Sequence, residues 1–177
     1  MISFLDLKKI NEPYQEAFLE KTKVFLEKGH YILGDEVLQF EQEFAAFCNT
    51  THCIGVGNGL DALVLIFKGY LQLGVLKEGD EILVPANTYI ASILAIINAG
   101  LKPKLVDTNL LNYNLTLDAL EQNVTQHTKG VLMVHLYGQV NDALAIKTFC
   151  KDFGLLLVED AAQAHGAVAN GLKAGNI

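Results

Sequence analysis

The sequence predicts an α/β fold, a mainly parallel sheet with flanking helices. From His52 onward, short aliphatic runs alternate with stretches whose apolar residues recur at helical spacing, with no long linker and no tandem repeat. One of these runs, residues 155–158 (LLLV), is apolar throughout, as a strand covered on both faces must be. It leads directly into Glu159, Asp160, Gln163 and His165. Ligands of open α/β sheets lie at the carboxyl ends of the strands, so these polar groups are candidates for holding one.

Residues 11–28 read as a helix with Asn11 as cap, Pro13 in the first turn, Ala17, Phe18, Phe25 and Leu26 as its apolar face, and Gly29 as its stop. A second helix follows. Its Val37, Phe40, Phe44 and Phe47 lie at helical spacing, Glu36, Glu41 and Glu43 lie opposite, and Gly34-Asp35 supplies turn and cap. Residues 1–50 are therefore an N-terminal helical segment, expected outside the sheet or against a partner, and residues 51–177 the α/β part. Residues 52–56 are expected to form a first strand. Leu60, Leu63, Val64, Phe67 and Leu71 trace one face of a helix closed by Gly74. Residues 81–84 make a second strand, and Ile90, Ile93, Leu94 and Ile97 a helix closed by Gly100. Residues 102–106 are the third strand; Thr116 caps a short helix carrying Leu117, Leu120 and Val124. Residues 130–134 are the fourth strand. Ile146, Phe149, Cys150 and Phe153 mark a helix stopped by Gly154, and residues 155–158 are the fifth strand.

Composition narrows the function classes. With 177 residues and 51% hydrophobic content the chain is one domain, or part of a larger one, with ample material for a core. Twenty acidic residues against 13 basic ones, a formal charge of -7, disfavour nucleic acid and an anionic membrane as partners. Every basic residue is a lysine, so no guanidinium fork can clamp a carboxylate. Cys48, Cys53 and Cys150 lack metal-ligand spacing and sit in or beside apolar runs, which fits free thiols in a reducing compartment; no metal is expected. The first residues lack the basic lead and apolar core of a signal peptide, and residues 90–99 are too short to span a membrane and are broken by Ser92 and Asn98. The expected location is the cytoplasm.

Parallel strands would bring Gly57-Asn58-Gly59, residues 85–89 (PANTY), Asp107, His135 and Glu159-Asp160 to one edge. The glycine pair could turn peptide N–H groups toward a phosphate, although a plain turn explains the same residues. A dinucleotide fingerprint would need a third glycine where Ala62 stands. Tyr89 could lie over a planar heterocycle or be a core aromatic. The Asp160 carboxylate could hold a pyridine nitrogen protonated, making the ring a stronger electron sink, or could cap the next helix. Gln163 could donate to a ring oxygen or face solvent. His135 and His165 are acid/base candidates, or histidines satisfied by local hydrogen bonds.

The stretches 4–9 (FLDLKK), 31–37 (YILGDEV), 57–63 (GNGLDAL), 79–92 (GDEILVPANTYIAS), 134–139 (VHLYGQ) and 159–166 (EDAAQAHG) occur in this order over nearly the whole chain. Together they resemble the DegT/StrS family of pyridoxal-phosphate sugar aminotransferases. The resemblance implies the large domain of the aspartate aminotransferase-like fold, truncated, with pyridoxal 5'-phosphate as cofactor. It implies backbone contacts from Gly59 and Leu60 to the cofactor phosphate, Tyr89 stacked on the pyridine ring, Asp160 paired with the pyridine nitrogen as the catalytic carboxylate, and Gln163 on the phenolic oxygen. Leu60 stands where many members carry a phosphate-binding threonine. The branch it resembles aminates C3 of dTDP-3-oxo-6-deoxyhexoses with glutamate as donor, for amino sugars of surface polysaccharides, and its members are homodimers. A dehydratase of the same family and a non-catalytic binding module are the alternatives. In the family the Schiff-base lysine follows a further strand after the EDAAQ motif. Lys173 lies too close to take that role, so the 177 residues alone are expected to be inactive.

Overall fold

A computed structural model describes residues 4–177; Met1, Ile2 and Ser3, part of the stretch searched for a signal peptide, lie outside the described residues. The Asp6 carboxylate accepts the Lys9 N–H at 3.2 Å and starts α1, Leu7–Asn11. Pro13 has no N–H to give to an α-helical ladder, and Glu12–Tyr14 form a 3-10 turn before α2, Gln15–Lys28. The helix expected over residues 11–28 thus begins at Gln15, after a separate short helix and a 3-10 turn, and Asn11 makes no side-chain cap. Gly29 ends it in the left-handed region, with φ 66°. α3, Asp35–Cys48, follows Gly34 and closes on Asn49, also left-handed. No residue of α1 or α2 is buried.

Four parallel strands form the main sheet: β1, Glu81–Pro85; β2, Lys102–Val106; β3, Thr128–Val134; and β4, Leu156–Asp160. Their order is β2-β1-β3-β4. The expected strand at residues 52–56 is not present, so the five-strand expectation is corrected to four. A strand needs a neighbour for its N–H and C=O groups. This segment joins neither edge of the sheet; Gly55 N–H turns instead to the Glu41 carboxylate at 2.7 Å, and Ile54 is 79% exposed.

Helices fill the crossovers. α4, Gly59–Gln72, and α5, Ile90–Asn98, cover one face, packing Leu63, Phe67, Ala95 and Ile96 on Ile82, Val84, Leu132 and Val158. α6, Leu117–Asn123, and α7, Ala143–Asp152, cover the other, placing Leu120, Ile146, Phe149 and Cys150 on Leu83, Val106, Val131 and Met133. Alternate residues of one strand therefore serve two cores. Thr116 caps α6 as expected, accepting the Ala119 N–H at 3.2 Å. Beyond β4, β5 (Val168–Ala169) and β6 (Leu172–Lys173) pair antiparallel around Asn170-Gly171, both with positive φ. The three cysteines are free; burial pushes the Cys150 thiol up to about 11.

The central strand β3 approaches its neighbours most closely at Gly130, where a Cβ would stand 3.0 Å from Ile82 Cδ1 and 3.1 Å from the Leu156 carbonyl oxygen. The carbonyl belongs to a paired strand and cannot retreat. Gly130→Ala is expected to lower stability by about 1–3 kcal/mol, measured by denaturant unfolding, with the surface change Lys129→Ala near neutral.

Candidate active site

Parallel strands end together, and the pocket lies where β3 and β4 give way to loops. In β4, Val158 points into the core beneath α4 and α5, and Glu159 and Asp160 follow on opposite faces. Asp160 faces α5. Its Oδ1 accepts the Ala162 N–H at 3.2 Å, and its Oδ2 accepts the Ser92 hydroxyl at 2.9 Å. The Ser92 oxygen in turn lies 3.0 Å from the Thr88 hydroxyl.

A second wall is the start of α4. Asn58 is extended; its Oδ1 accepts the Asp61 N–H at 2.9 Å, its amide donates to the Asp61 carboxylate at 2.8 Å, and its carbonyl accepts from Ala62 at 3.1 Å. The N–H groups of Gly59 and Leu60 have no acceptor among the described residues, the usual condition of a first helical turn and a favourable one for an anion. A Cβ at Gly59 would meet nothing within 4 Å, so packing does not require glycine there and the space beside the helix end is open.

Tyr89 stands at the start of α5 without a side-chain cap and is 71% exposed. Gln163 lies opposite; its Oε1 accepts the Tyr137 N–H at 2.8 Å, which leaves its NH2 group to donate. Gly59, Leu60, Tyr89, Asp160 and Gln163, the five residues singled out from the sequence, all line one pocket of about 370 Å³, together with Asn58, Thr88, Ser92 and Ala162. Ser92, Thr88 and Asn58 were not singled out for roles. Asn58 was legible as the cap of an Asn-x-x-Asp start; Ser92 shows only as a polar break in an apolar helix. A larger groove of about 630 Å³ on the outside of α4 is lined by Ile54, Val56, Leu65, Ile66 and Leu73 and offers no carboxylate.

The histidines separate. His135 is fully buried; its Nδ1 accepts the Asn141 backbone N–H at 3.2 Å, so the ring proton is on Nε2 and is donated to Glu159 at 2.8 Å. That satisfied state leaves it no free nitrogen for acid/base work. His165 is exposed, its ring edge-on to Phe44. Lys173 Nζ donates to the Phe47 carbonyl and lies over the Phe47 ring, while the Asn176 amide donates to the Asn49 carbonyl at 2.9 Å. Lys173 is not a pocket-lining residue. Asp107 also stands apart from the pocket lining. Among the described residues no group of three His, Cys, Asp or Glu could hold a metal, and no helix is long and apolar enough to cross a membrane.

Glu159 is held on the far side of β4. Burial tends to raise its pKa, but the His135 hydrogen bond and the N–H groups of Gly175, at 2.6 Å, and Ile177, at 3.1 Å, outweigh that and leave it below the ordinary glutamate value. A carboxylate whose folded pKa is depressed contributes stability above its unfolded pKa, about 4.3, and loses that contribution as pH falls through the folded value. Glu159→Gln is therefore expected to destabilise the protein by about 1–3 kcal/mol near neutral pH. Unfolding measured as a function of pH should show the gap between wild type and variant narrowing as pH falls below the ordinary glutamate value of about 4.3.

A parallel sheet with a pocket at its carboxyl edge, lined by an acid, unpaired helix-start N–H groups and an exposed aromatic, defines an open α/β protein whose polar groups converge at the strand ends. The chain belongs to the DegT/DnrJ/EryC1/StrS aminotransferase family, whose model matches residues 13–177. It is 48% identical over 177 residues to the dTDP-3-amino-3,6-dideoxy-alpha-D-galactopyranose transaminase of Aneurinibacillus thermoaerophilus, covering 100% of this chain and 48% of that protein. The X-ray structure of DesV from S. venezuelae, described as a complex with a ketimine intermediate, superposes with a TM-score of 0.93 at 41% identity, over 99% of this chain and 46% of that one. A GDP-4-keto-6-deoxymannose-3-dehydratase, solved with a trapped PLP-glutamate geminal diamine, superposes at 0.81 with 29% identity, over 86% and 40%. The chain spans about half the length of the curated relatives it matches.

Proposed function

We propose that the whole protein is a cytoplasmic, homodimeric aminotransferase that uses pyridoxal 5'-phosphate to transfer an amino group from glutamate to a nucleotide-linked keto sugar. The substrate is a dTDP-3-oxo-6-deoxyhexose, aminated at C3 for amino-sugar and polysaccharide synthesis. Residues 51–177 are then an incomplete cofactor-binding large domain. The observation that carries the reading is the meeting, in one pocket of about 370 Å³, of the Asp160 carboxylate with the unpaired N–H groups of Gly59 and Leu60. One end of that pocket suits a phosphate and the other a protonated ring nitrogen.

The residues present fit the cofactor. Asp160 keeps accepting capacity beyond Ser92 and Ala162, because a carboxylate offers about four lone-pair sites. Gly59 and Leu60 would bind the phosphate through their amides, Leu60 adding no hydroxyl. The Tyr89 ring would cover one face of the ring system, and the Gln163 NH2 would donate to its phenolic oxygen. When bound, the cofactor supplies an electron sink that stabilises negative charge developing beside the transferred nitrogen. Asp160 makes that sink effective by holding the proton on the ring nitrogen. These 177 residues contain no arginine, so within them a substrate carboxylate would be met by lysine, hydroxyl, amide or backbone N–H groups.

A dehydratase of the same fold is the second reading, supported by the dehydratase neighbour. The full-length protein with pyridoxal phosphate is expected to develop a visible band that bleaches with glutamate. With keto sugar and nitrogen-labelled glutamate, transamination gives a labelled amino sugar, and dehydration a sugar short of one water with no label. Failure of the intact protein to develop the band would overturn the aminotransferase reading. Asp160→Asn should lower kcat by on the order of 10²-fold or more while the protein stays folded, as judged by circular dichroism.

A further inference from the structure

The structure assigns to Ser92, with Thr88 behind it, the task of holding the Asp160 carboxylate in position. This inference rests on the functional reading above, since the job matters only if Asp160 meets a ring nitrogen. Ser92 is 1% exposed, and its hydroxyl reaches across 68 residues of sequence to Asp160 Oδ2 at 2.9 Å. It lies in the first turn of a helix whose one other polar residue, Asn98, is at its far end, and an alanine would satisfy the packing and the helix propensity at least as well. A buried hydroxyl in such a place needs a polar partner.

The direction of the two hydrogen bonds follows from proton counting. A carboxylate can only accept, and a serine hydroxyl has one proton, so Ser92 donates to Asp160. The Ser92 oxygen is then the acceptor for Thr88, 3.0 Å away. The result is a directed chain, Thr88 to Ser92 to Asp160, in which each donor polarises the next. Oδ1 is held separately by the Ala162 N–H at 3.2 Å. With one donor on each oxygen the carboxylate plane cannot turn freely, and the lone pairs left over open toward the pocket.

The same contact aligns a second wall. The Ser92 N–H donates to the Tyr89 carbonyl at 3.1 Å, so Tyr89 and Ser92 belong to one turn, and a bond from that turn to β4 sets the distance between the tyrosine and the acid. Ser92 is thus a positioning residue for the acid and, through the turn, for the aromatic. Functional groups keep useful geometry only when such supporting bonds lock them.

The test uses the full-length protein in three variants, Ser92→Ala, Ser92→Cys and Thr88→Val. Pyridoxal phosphate affinity is measured by titrating the visible band, and melting is measured without cofactor. Loss of a hydrogen bond to a charged group predicts about ten-fold weaker binding and a displaced absorption maximum for Ser92→Ala. Ser92→Cys, which keeps the size but donates weakly, should fall between it and wild type, and Thr88→Val should show a smaller change in the same direction. A merely structural serine would lower cofactor-free melting while leaving affinity and band position untouched, and that outcome overturns the inference. Should Ser92→Ala fail to fold, wild-type affinity and band position in both Ser92→Cys and Thr88→Val would overturn it equally. A wild-type protein that gives no band removes the functional reading together with this one; a wild-type band with unchanged variants removes this one alone.

Discussion

The register between β3 and β4 is the constraint on which the site depends. Val134 stands opposite Asp160, Met133 opposite Glu159, and the His135 N–H continues the ladder to the Asp160 carbonyl at 3.0 Å. Side chains alternate along a strand, so a slip of one residue would exchange the faces of the two acids. Glu159 would then enter the pocket and Asp160 would meet the histidine. Val158 packed beneath α4 and α5, and Leu157 packed on the opposite core, prevent this, since a slip would also carry each of them to the wrong face. Apolar packing thus decides which carboxylate faces the pocket.

Two adjacent acids with the same charge are sorted by what surrounds them. Glu159 accepts three hydrogen bonds, from an imidazole and from two backbone N–H groups that hold the chain from Gly175 to Ile177 against the sheet. Asp160 receives one hydroxyl and one backbone N–H and retains accepting capacity on the pocket side. The first arrangement is a structural tie; the second suits a cationic ring. His135 belongs with the tie, because Asn141 takes its remaining nitrogen.

Most of the α/β framework was legible because helical and strand periodicities are local properties. β1, β3 and β4 were each recognisable as an aliphatic run before a polar turn, β2 (KPKLV) as a short segment between Gly100 and Asp107, and Gly74, Gly100 and Gly154 each follow a helix in the left-handed region. Residues 52–56 misled because a strand is defined by its neighbour, and apolar residues alone cannot supply one. The small hairpin at Asn170-Gly171 was missed although an Asn-Gly pair is a direct hairpin signal; its strands are too short to show alternation. In the site, charged and aromatic groups at strand ends announced themselves, whereas Ser92 looked like an interruption of an apolar stretch. Its importance depends on a contact 68 positions away, which no local pattern records.

Residues near 173–176 fasten the end of α3. Lys173 is bound to the carbonyl of Phe47, and Asn176 to that of Asn49, contacts separated by 126 and 127 residues. During synthesis α3 emerges long before either anchor exists. Within its aromatic row of Phe40, Phe44 and Phe47, Phe44 must therefore wait for His165 and Phe47 for Lys173, and closing so long a loop is slow. The interval is one in which the nascent protein exposes adhesive surface, making the order of translation itself part of how this fold is reached.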